Sequence, residues 1–347
     1  MTINRLWVLE RRPIGNDYAS AFELIEEPLP DLAEGQVLVR NRVLSMDTGT
    51  RMWLTDRADS YSPPLGLGER IIGTVLGEVV GSRHSEYRVG DRVRCYGSWS
   101  DFSVVSPGEA YIATLDDLSP DLKDYVGLMG ANGWTAYIGV IETGEVRAGD
   151  TFVVSAAAGC TGLMAGQIAK IAGCRVIGIA GSDQKCALIQ AEYGFDGAIN
   201  YKTENVETAL AALCPEGVNV YFDNVGGPIL DAVLPNMALY GRVAVCGLIT
   251  NYIATGPVPG PYRFDQVLMK RLKIEGFFSP DFYRREPELS PILRRWAGSG
   301  QLKLPFDLST GLENTITAYT RLFTGENIGK VVVELCRLSE CRARLRS

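Results

Sequence analysis

The sequence predicts an α/β protein in which a doubly wound parallel sheet is joined to a smaller β-rich domain. Three observations carry that prediction. Residues 150–170, Asp-Thr-Phe-Val-Val-Ser-Ala-Ala-Ala-Gly-Cys-Thr-Gly-Leu-Met-Ala-Gly-Gln-Ile-Ala-Lys, read as strand, tight glycine turn and helix. From there to residue 245, short apolar runs alternate with helical stretches, which is the signature of βαβ units. Before residue 116, short strands follow one another between glycine and proline turns.

Taken in order, residues 4–9, 22–26 and 36–44 alternate or cluster apolar side chains between turn signals such as Pro28-Leu-Pro30 and Glu34-Gly35, and are expected to be antiparallel strands. Further strands are expected at 71–80, 87–95, 99–105 and 111–115, with Gly73, Gly77, Gly81 and Gly90 at bends. A small, partly closed barrel suits this pattern. From residue 121 to 140 the apolar positions take helical spacing, and the domain boundary is expected there. Strands at 151–154 and 174–180 enclose a helix beginning near Thr161, a βαβ unit of about thirty residues. Helices at 183–193, 205–213 and 228–234 then alternate with strands at 197–200, 218–222 and 242–245. Residues 247–261 read as a long loop at the carboxyl end of a strand, where open α/β sheets bind ligands. A strand at 272–278, a helix at 286–296, strands at 302–304 and 329–335 and a helix near 312–323 complete the chain, with a solvated Arg-rich tail after residue 335.

At 347 residues and 46% hydrophobic content the chain can bury large cores, with about two domains as the prior. The formal charge of −7 offers no general basic field for nucleic acid or an anionic membrane. The amino terminus lacks the apolar core of a signal peptide, and no run of about eighteen apolar residues offers a membrane span, so a cytoplasmic protein is expected. Eight scattered cysteines with no Cys-x-x-Cys pair read as reduced thiols.

The glycine turn is where chemistry begins. Small residues at Ala156, Ala157, Ala158, Gly159 and Gly162 let backbone amides approach a pyrophosphate at the positive end of the following helix, so Ala158, Gly159, Cys160, Thr161 and Gly162 are candidate cofactor contacts. Gly166 lets the helix lie close on the sheet. About twenty residues on, an NAD site would place a carboxylate on the ribose 2'-hydroxyl, but the strand here ends at Gly181-Ser182. Lys185 lies just downstream, and a charge-assisted contact to a 2'-phosphate is worth about 1.5–3 kcal/mol, or roughly ten- to a hundredfold. NADPH is therefore expected, although Asp183 stands beside it.

Zinc needs three or four suitably spaced ligands. His84 is the single histidine, in a turn-like stretch where an exposed loop residue is expected, and no thiol cluster replaces it, so no metal site and no histidine base are expected. Proton chemistry then falls to tyrosine, carboxylate, water or a cofactor hydroxyl. Gly247 opens the long loop, and Tyr252 within it is the candidate hydroxyl to stabilise an enolate oxygen.

Ser155-Ala-Ala-Ala-Gly-Cys-Thr-Gly162, Gly166-Gln-Ile-Ala-Lys170, Gly178-Ile-Ala-Gly-Ser-Asp-Gln-Lys-Cys186, Ala198-Ile-Asn-Tyr-Lys202, Tyr221-Phe-Asp-Asn-Val-Gly-Gly227 and Asn327-Ile-Gly-Lys-Val-Val332 together resemble the zinc-independent medium-chain dehydrogenase/reductases. Within them the chain is similar to the prostaglandin reductase, leukotriene hydroxydehydrogenase and curcumin or alkenal double-bond reductase branch, from Leu6 to about Glu334. The resemblance implies a GroES-like catalytic domain formed by residues 1–127 and 299–335, a Rossmann domain at 128–298, a tail at 336–347, and a homodimer through the Rossmann domain. It implies that Lys185 and Tyr201 hold the adenosine phosphate end, Asn224 lines the cofactor cleft, Phe277 and Phe278 flank the nicotinamide, and Asn327 reaches its ribose or amide. Tyr252 matches the tyrosine proposed in this branch to stabilise the enolate.

Two segments depart from the branch pattern. Leu44-Ser-Met-Asp-Thr-Gly-Thr-Arg51-Met-Trp53 lacks its proline and tyrosine near the substrate mouth, and Asn132 and Trp134 replace a proline and a leucine. The expected activity is NADPH-dependent reduction of the C=C bond of an α,β-unsaturated ketone or aldehyde. A quinone reductase of the same superfamily and a non-catalytic NADPH-binding protein are the alternatives.

Overall fold

The computed structural model describes residues 2–57, 63–116, 121–254, 256 and 258–335. The Arg-rich tail, with Cys336 and Cys341, lies outside the described residues. The chain divides into two compact units, one of residues 127–305 and 328–330, the other of residues 1–126, 306–327 and 331 onward.

In the first of these, six parallel strands lie side by side in the order Gly197–Asn200, Arg175–Ala180, Thr151–Ser155, Val218–Asp223, Met237–Val245 and Lys273–Gly276. The order reverses direction between Thr151–Ser155 and Val218–Asp223, which makes their carboxyl ends the topological switch point where such sheets bind ligands. Val153, Ile177, Ile179, Ile199, Tyr221 and Val243 bury the sheet against helices, as the continuous apolar runs require. Caps set the helix ends: the Ser182 hydroxyl accepts the Lys185 N–H at the start of Asp183–Tyr193, and Gly194 closes it at φ 71°.

In the β-rich unit, Ile3–Leu9 pairs antiparallel with Phe22–Pro28. A larger sheet runs Phe306–Thr310, Lys330–Glu334, Val37–Ser45, Ile72–Ser82, Arg92–Ser98 and Ile112–Thr114, with Phe102–Val105 also paired to Val37–Ser45. Tyr18, Trp99 and Tyr319 form an aromatic centre, with Tyr319 edge-on to both other rings at 5.0 and 5.1 Å. The helix Thr315–Thr324 delivers Tyr319.

Several elements differ from expectation. Residues 87–91 are a turn rather than the start of a strand, because Gly90 sits at φ 98° and the Arg88 N–H is taken by the Asp91 carboxylate. Trp99 to Asp101 bend before the strand Phe102–Val105. Residues 302–304 form no strand; the Gln167 carboxamide donates to the Lys303 carbonyl and accepts its N–H, both at 2.9 Å, in place of a neighbouring strand. The helical stretch after residue 121 breaks into a 3-10 turn at Leu122–Tyr125, an α-helix at Ala131–Tyr137 and a π-helical segment at Ile138–Thr143. The long loop after residue 246 contains a short helix, Ile249–Tyr252. His84 is half-buried in its turn, its Nδ1 accepting the Glu86 N–H.

Candidate active site

The glycine turn joins Thr151–Ser155 to the twelve-residue helix Cys160–Ile171. Ala156 takes φ 49°, a left-handed geometry that reverses the chain. A side chain at Gly162 would bring Cβ to 2.4 Å from the Ala156 carbonyl oxygen, so this glycine is demanded by the turn itself. Gly159 heads the helix and can offer no capping side chain. Ala158 is buried, and its carbonyl accepts the Gly329 N–H at 2.8 Å, so residues 328–330 border one side of the turn. Gly159, Cys160 and Thr161 remain half-exposed along the other side.

At the end of Arg175–Ala180, the space beside Gly181 is filled by the Tyr201 ring, 3.1 Å from an added Cβ. Tyr201 is itself 43% exposed, and its N–H returns to the Ala180 carbonyl. Ser182, Lys185 and Tyr201 therefore cluster at one strand end. The Asp183 carboxylate beside them accepts from the Asn200 carboxamide at 2.7 Å.

The switch point holds a buried hydrogen-bond network. Asp223, fully buried, ends Val218–Asp223, and its Oδ1 accepts from the Tyr221 hydroxyl at 2.8 Å, the Gly226 and Val225 N–H groups at 2.9 and 3.0 Å, and the Ser155 hydroxyl at 3.2 Å. Burial raises its carboxyl above the ordinary range against the opposing pull of these donors. Asn224 spans to the neighbouring strand: its N–H donates to the Ser155 hydroxyl at 2.9 Å and its carboxamide to the Ser155 carbonyl at 2.7 Å.

Gly247 follows the next strand, its N–H donating to the Asp223 carbonyl. The helix Ile249–Tyr252 brings the Tyr252 hydroxyl back over this residue, 3.5 Å from where a Gly247 Cβ would stand. The phenol oxygen accepts the Leu248 N–H at 3.1 Å, which leaves its own proton to donate. Burial raises its pKa from the usual value, with the Leu248 bond opposing and the Cys246 and Asp223 groups adding to the rise. Tyr252 is thus a neutral donor at neutral pH.

The remaining candidates are placed differently from one another. Phe277 packs edge-on against Phe222 at 6.0 Å, and Gly139 in the π-helical segment makes room, since a Cβ there would lie 2.4 Å from both rings. Phe277 is half-buried, so part of its ring stays open beside that contact. Phe278 is half-buried at the start of the 3-10 turn Ser279–Arg285. Asn327 is buried in the β-rich unit, directly before residues 328–330. Asp223 and Ser155 were not among the expected site residues. The acid inside Tyr-Phe-Asp-Asn, at a strand tip facing the glycine turn, was the available signal.

Family models match both units: residues 5–113 fit the N-terminal domain of oxidoreductase and residues 160–295 fit zinc-binding dehydrogenase. The NADPH-dependent curcumin reductase of Escherichia coli (strain K12) is 36% identical over 96% of this chain and 97% of its own length. The chain belongs to the medium-chain dehydrogenase/reductases, in their zinc-independent alkenal and prostaglandin reductase branch. The 2-alkenal reductase (NADP(+)-dependent) of Nicotiana tabacum is 37% identical over 87% of this reductase and 88% of its own chain. The crystal structure of CurA in complex with NADPH from Vibrio vulnificus superposes with a TM-score of 0.89, at 38% identity, over 96% of this chain and 99% of that one.

Within this reductase the departures from the branch pattern have local explanations. Trp134 is buried in the α/β unit, its indole N–H donating to the Ser290 hydroxyl at 3.0 Å and its ring edge-on to Tyr283. Asn132 lies beside the glycine turn, its carboxamide 3.5 Å from the Thr161 hydroxyl. Thr48–Leu54 is a 3-10 turn in which Arg51 and Trp53 are buried; Arg51 donates to the Pro13 carbonyl at 3.0 Å and lies over the Tyr18 ring. Among the described residues, no three His, Cys, Asp or Glu side chains gather as a metal site would need.

Proposed function

We propose that this reductase uses NADPH to saturate the C=C bond of α,β-unsaturated ketones or aldehydes. The observation that carries the reading is the nearly full-length similarity to an NADPH-dependent curcumin reductase, with an alkenal reductase close behind. The glycine turn suits a dinucleotide: a left-handed Ala156, a helix headed by glycine and half-exposed Gly159, Cys160 and Thr161 leave backbone within reach of a pyrophosphate. Ser182, Lys185 and Tyr201 are assigned to the 2'-phosphate, supported by their common strand end and by the engagement of Asp183 with Asn200. Asn224, Gly247, Phe277, Phe278 and Asn327 are assigned to the nicotinamide half.

NADPH, when bound, supplies the hydride that adds to the β-carbon. The π electrons of the C=C bond then move toward the carbonyl, and the Tyr252 hydroxyl donates to the oxygen that gains charge. Its retained proton and raised pKa support that role. The α-carbon takes its proton from water. A panel of enones, enals, quinones and simple alcohols, followed through NADPH absorbance, tests the proposal. Alcohol oxidation without enone turnover rejects it, and faster turnover of quinones makes it a quinone reductase.

A homodimer belongs to the same proposal. Lys273–Gly276 is an outer strand of the parallel sheet, and Leu239, Tyr240, Leu268, Met269 and Ile274 are exposed apolar residues on or near it. A cytoplasmic location fits the free thiols at Cys95, Cys160, Cys174, Cys186, Cys214 and Cys246.

A further inference from the structure

We infer that Asp223 is the positioning residue of the active site, fixing through one carboxylate oxygen the turn on which the Tyr252 helix is hung. This rests on the reading of Tyr252 as the donor to the enolate oxygen. Asp223 lies at the topological switch point, and its Oδ1 draws on two strands: the Ser155 hydroxyl comes from one, and the Tyr221 hydroxyl from its own. The Val225 and Gly226 N–H groups turn back to the same oxygen and hold residues 223–226 in a tight bend. Gly226 completes it at φ 71°.

That bend carries the next element. The Ile249 N–H donates to the Asn224 carbonyl at 3.3 Å and the Thr250 N–H to the Val225 carbonyl at 3.1 Å, while Cys246 and Gly247 donate to the Asp223 carbonyl at 2.9 and 3.1 Å. The backbone leading into the Ile249–Tyr252 helix is therefore suspended from residues 223–225. On the other side, Ser155 immediately precedes Ala156, so the same carboxylate oxygen is joined to the start of the glycine turn. A carboxylate oxygen with four donors is saturated, whereas Oδ2 is buried with no hydrogen-bond partner. A buried polar atom left in that state costs stability. The arrangement serves the geometry around Oδ1.

The test uses the full-length enzyme as wild type, Asp223→Asn, Asp223→Ala, Tyr252→Phe and the Asp223→Ala/Tyr252→Phe pair. Single-turnover hydride transfer is followed by stopped flow, and hydrogen exchange over residues 246–254 by mass spectrometry. Asp223→Ala should slow transfer by about tenfold or more and accelerate exchange in that segment. Asp223→Asn should stay within about threefold of wild type, because its carboxamide oxygen can accept the same bonds. With Tyr252 already phenylalanine, Asp223→Ala should cost far less than it does alone, since residues acting through one another are not additive. Wild-type exchange in a folded Asp223→Ala protein, fully multiplicative losses, or an Asn variant as impaired as the Ala variant would each overturn the inference. Should Asp223→Ala fail to fold, Ser155→Ala takes its place in the cycle. A silent Tyr252→Phe would remove the catalytic reading of Tyr252 and leave the exchange measurement to decide on Asp223.

Discussion

The Asn200 carboxamide donates to the Asp183 carboxylate at 2.7 Å, and so engages the acidic group that stands two residues before Lys185. Asn200 is buried, which fixes the pair. Lys185, on the first turn of the same helix as Asp183, is the charge proposed to meet a 2'-phosphate. Lys185→Ala should raise the Kd for NADPH roughly ten- to a hundredfold and leave NADH nearly unchanged. Fluorescence titration with both cofactors checks this, and equal losses would remove Lys185 from the role.

Tyr252→Phe keeps the ring and removes both the proton to be donated and the acceptor of the Leu248 N–H. Hydride transfer should slow by about 10²–10³-fold, the usual cost of an oxyanion donor, with NADPH affinity little changed.

The same residue should set the alkaline limb of the pH profile. The phenol works protonated, and its pKa is raised above its ordinary value of 10.0. Activity that depends on it should therefore be flat through neutral pH and fall only as pH rises past that value. In kcat against pH, an alkaline limb confined to wild type and missing from the residual rate of Tyr252→Phe would identify the group.

Gly166→Ala should destabilise the fold without touching chemistry. The added Cβ would stand 2.0 Å from Cζ of Phe195, a buried ring held between helix and sheet. Overpacking of this kind costs about 1–3 kcal/mol, and Phe195→Leu in the same chain should recover part of it. Denaturant unfolding of the three proteins measures both effects.

Charging the outer strand should split the proposed dimer. Ile274→Asp places a carboxylate on the outer strand, at a position 36% exposed in the single chain. Sedimentation should show a dimer for wild type and a monomer for the variant at micromolar concentration. A wild-type monomer refutes the assembly.

The parallel sheet was legible because its signals are local. Helix Asp183–Tyr193 and strand Gly197–Asn200 match the sequence reading at both ends, since Ser182 and Gly194 are cap residues whose chemistry is written in single positions. Residues 302–304 looked like a strand from their alternation, but their partner is a glutamine 136 residues away. The packing of Phe277 on Phe222 depends on Gly139, from a distant helix, leaving the space, and no local pattern announces it. Asp223 was passed over although the acid in Tyr-Phe-Asp-Asn was there to be read, because its partner Ser155 lies 68 residues earlier and the spelling does not show that the two strand ends meet.

The stitching of Gly329 to Ala158 also bears on how the protein is made. The Gly329 N–H closes onto the Ala158 carbonyl and the Lys330 N–H onto that of Pro305, so the α/β unit borrows three residues from near the end of the chain. During synthesis at about 5–20 residues per second, the nucleotide turn emerges well before the segment that completes its flank. A nascent chain ending short of residue 329 would have every residue of the turn and still lack that wall. Closure of the turn's flank is thereby tied to the arrival of residues 328–330, and an excised fragment of residues 127–305 would leave the Ala158 and Pro305 carbonyls without the donors they have here.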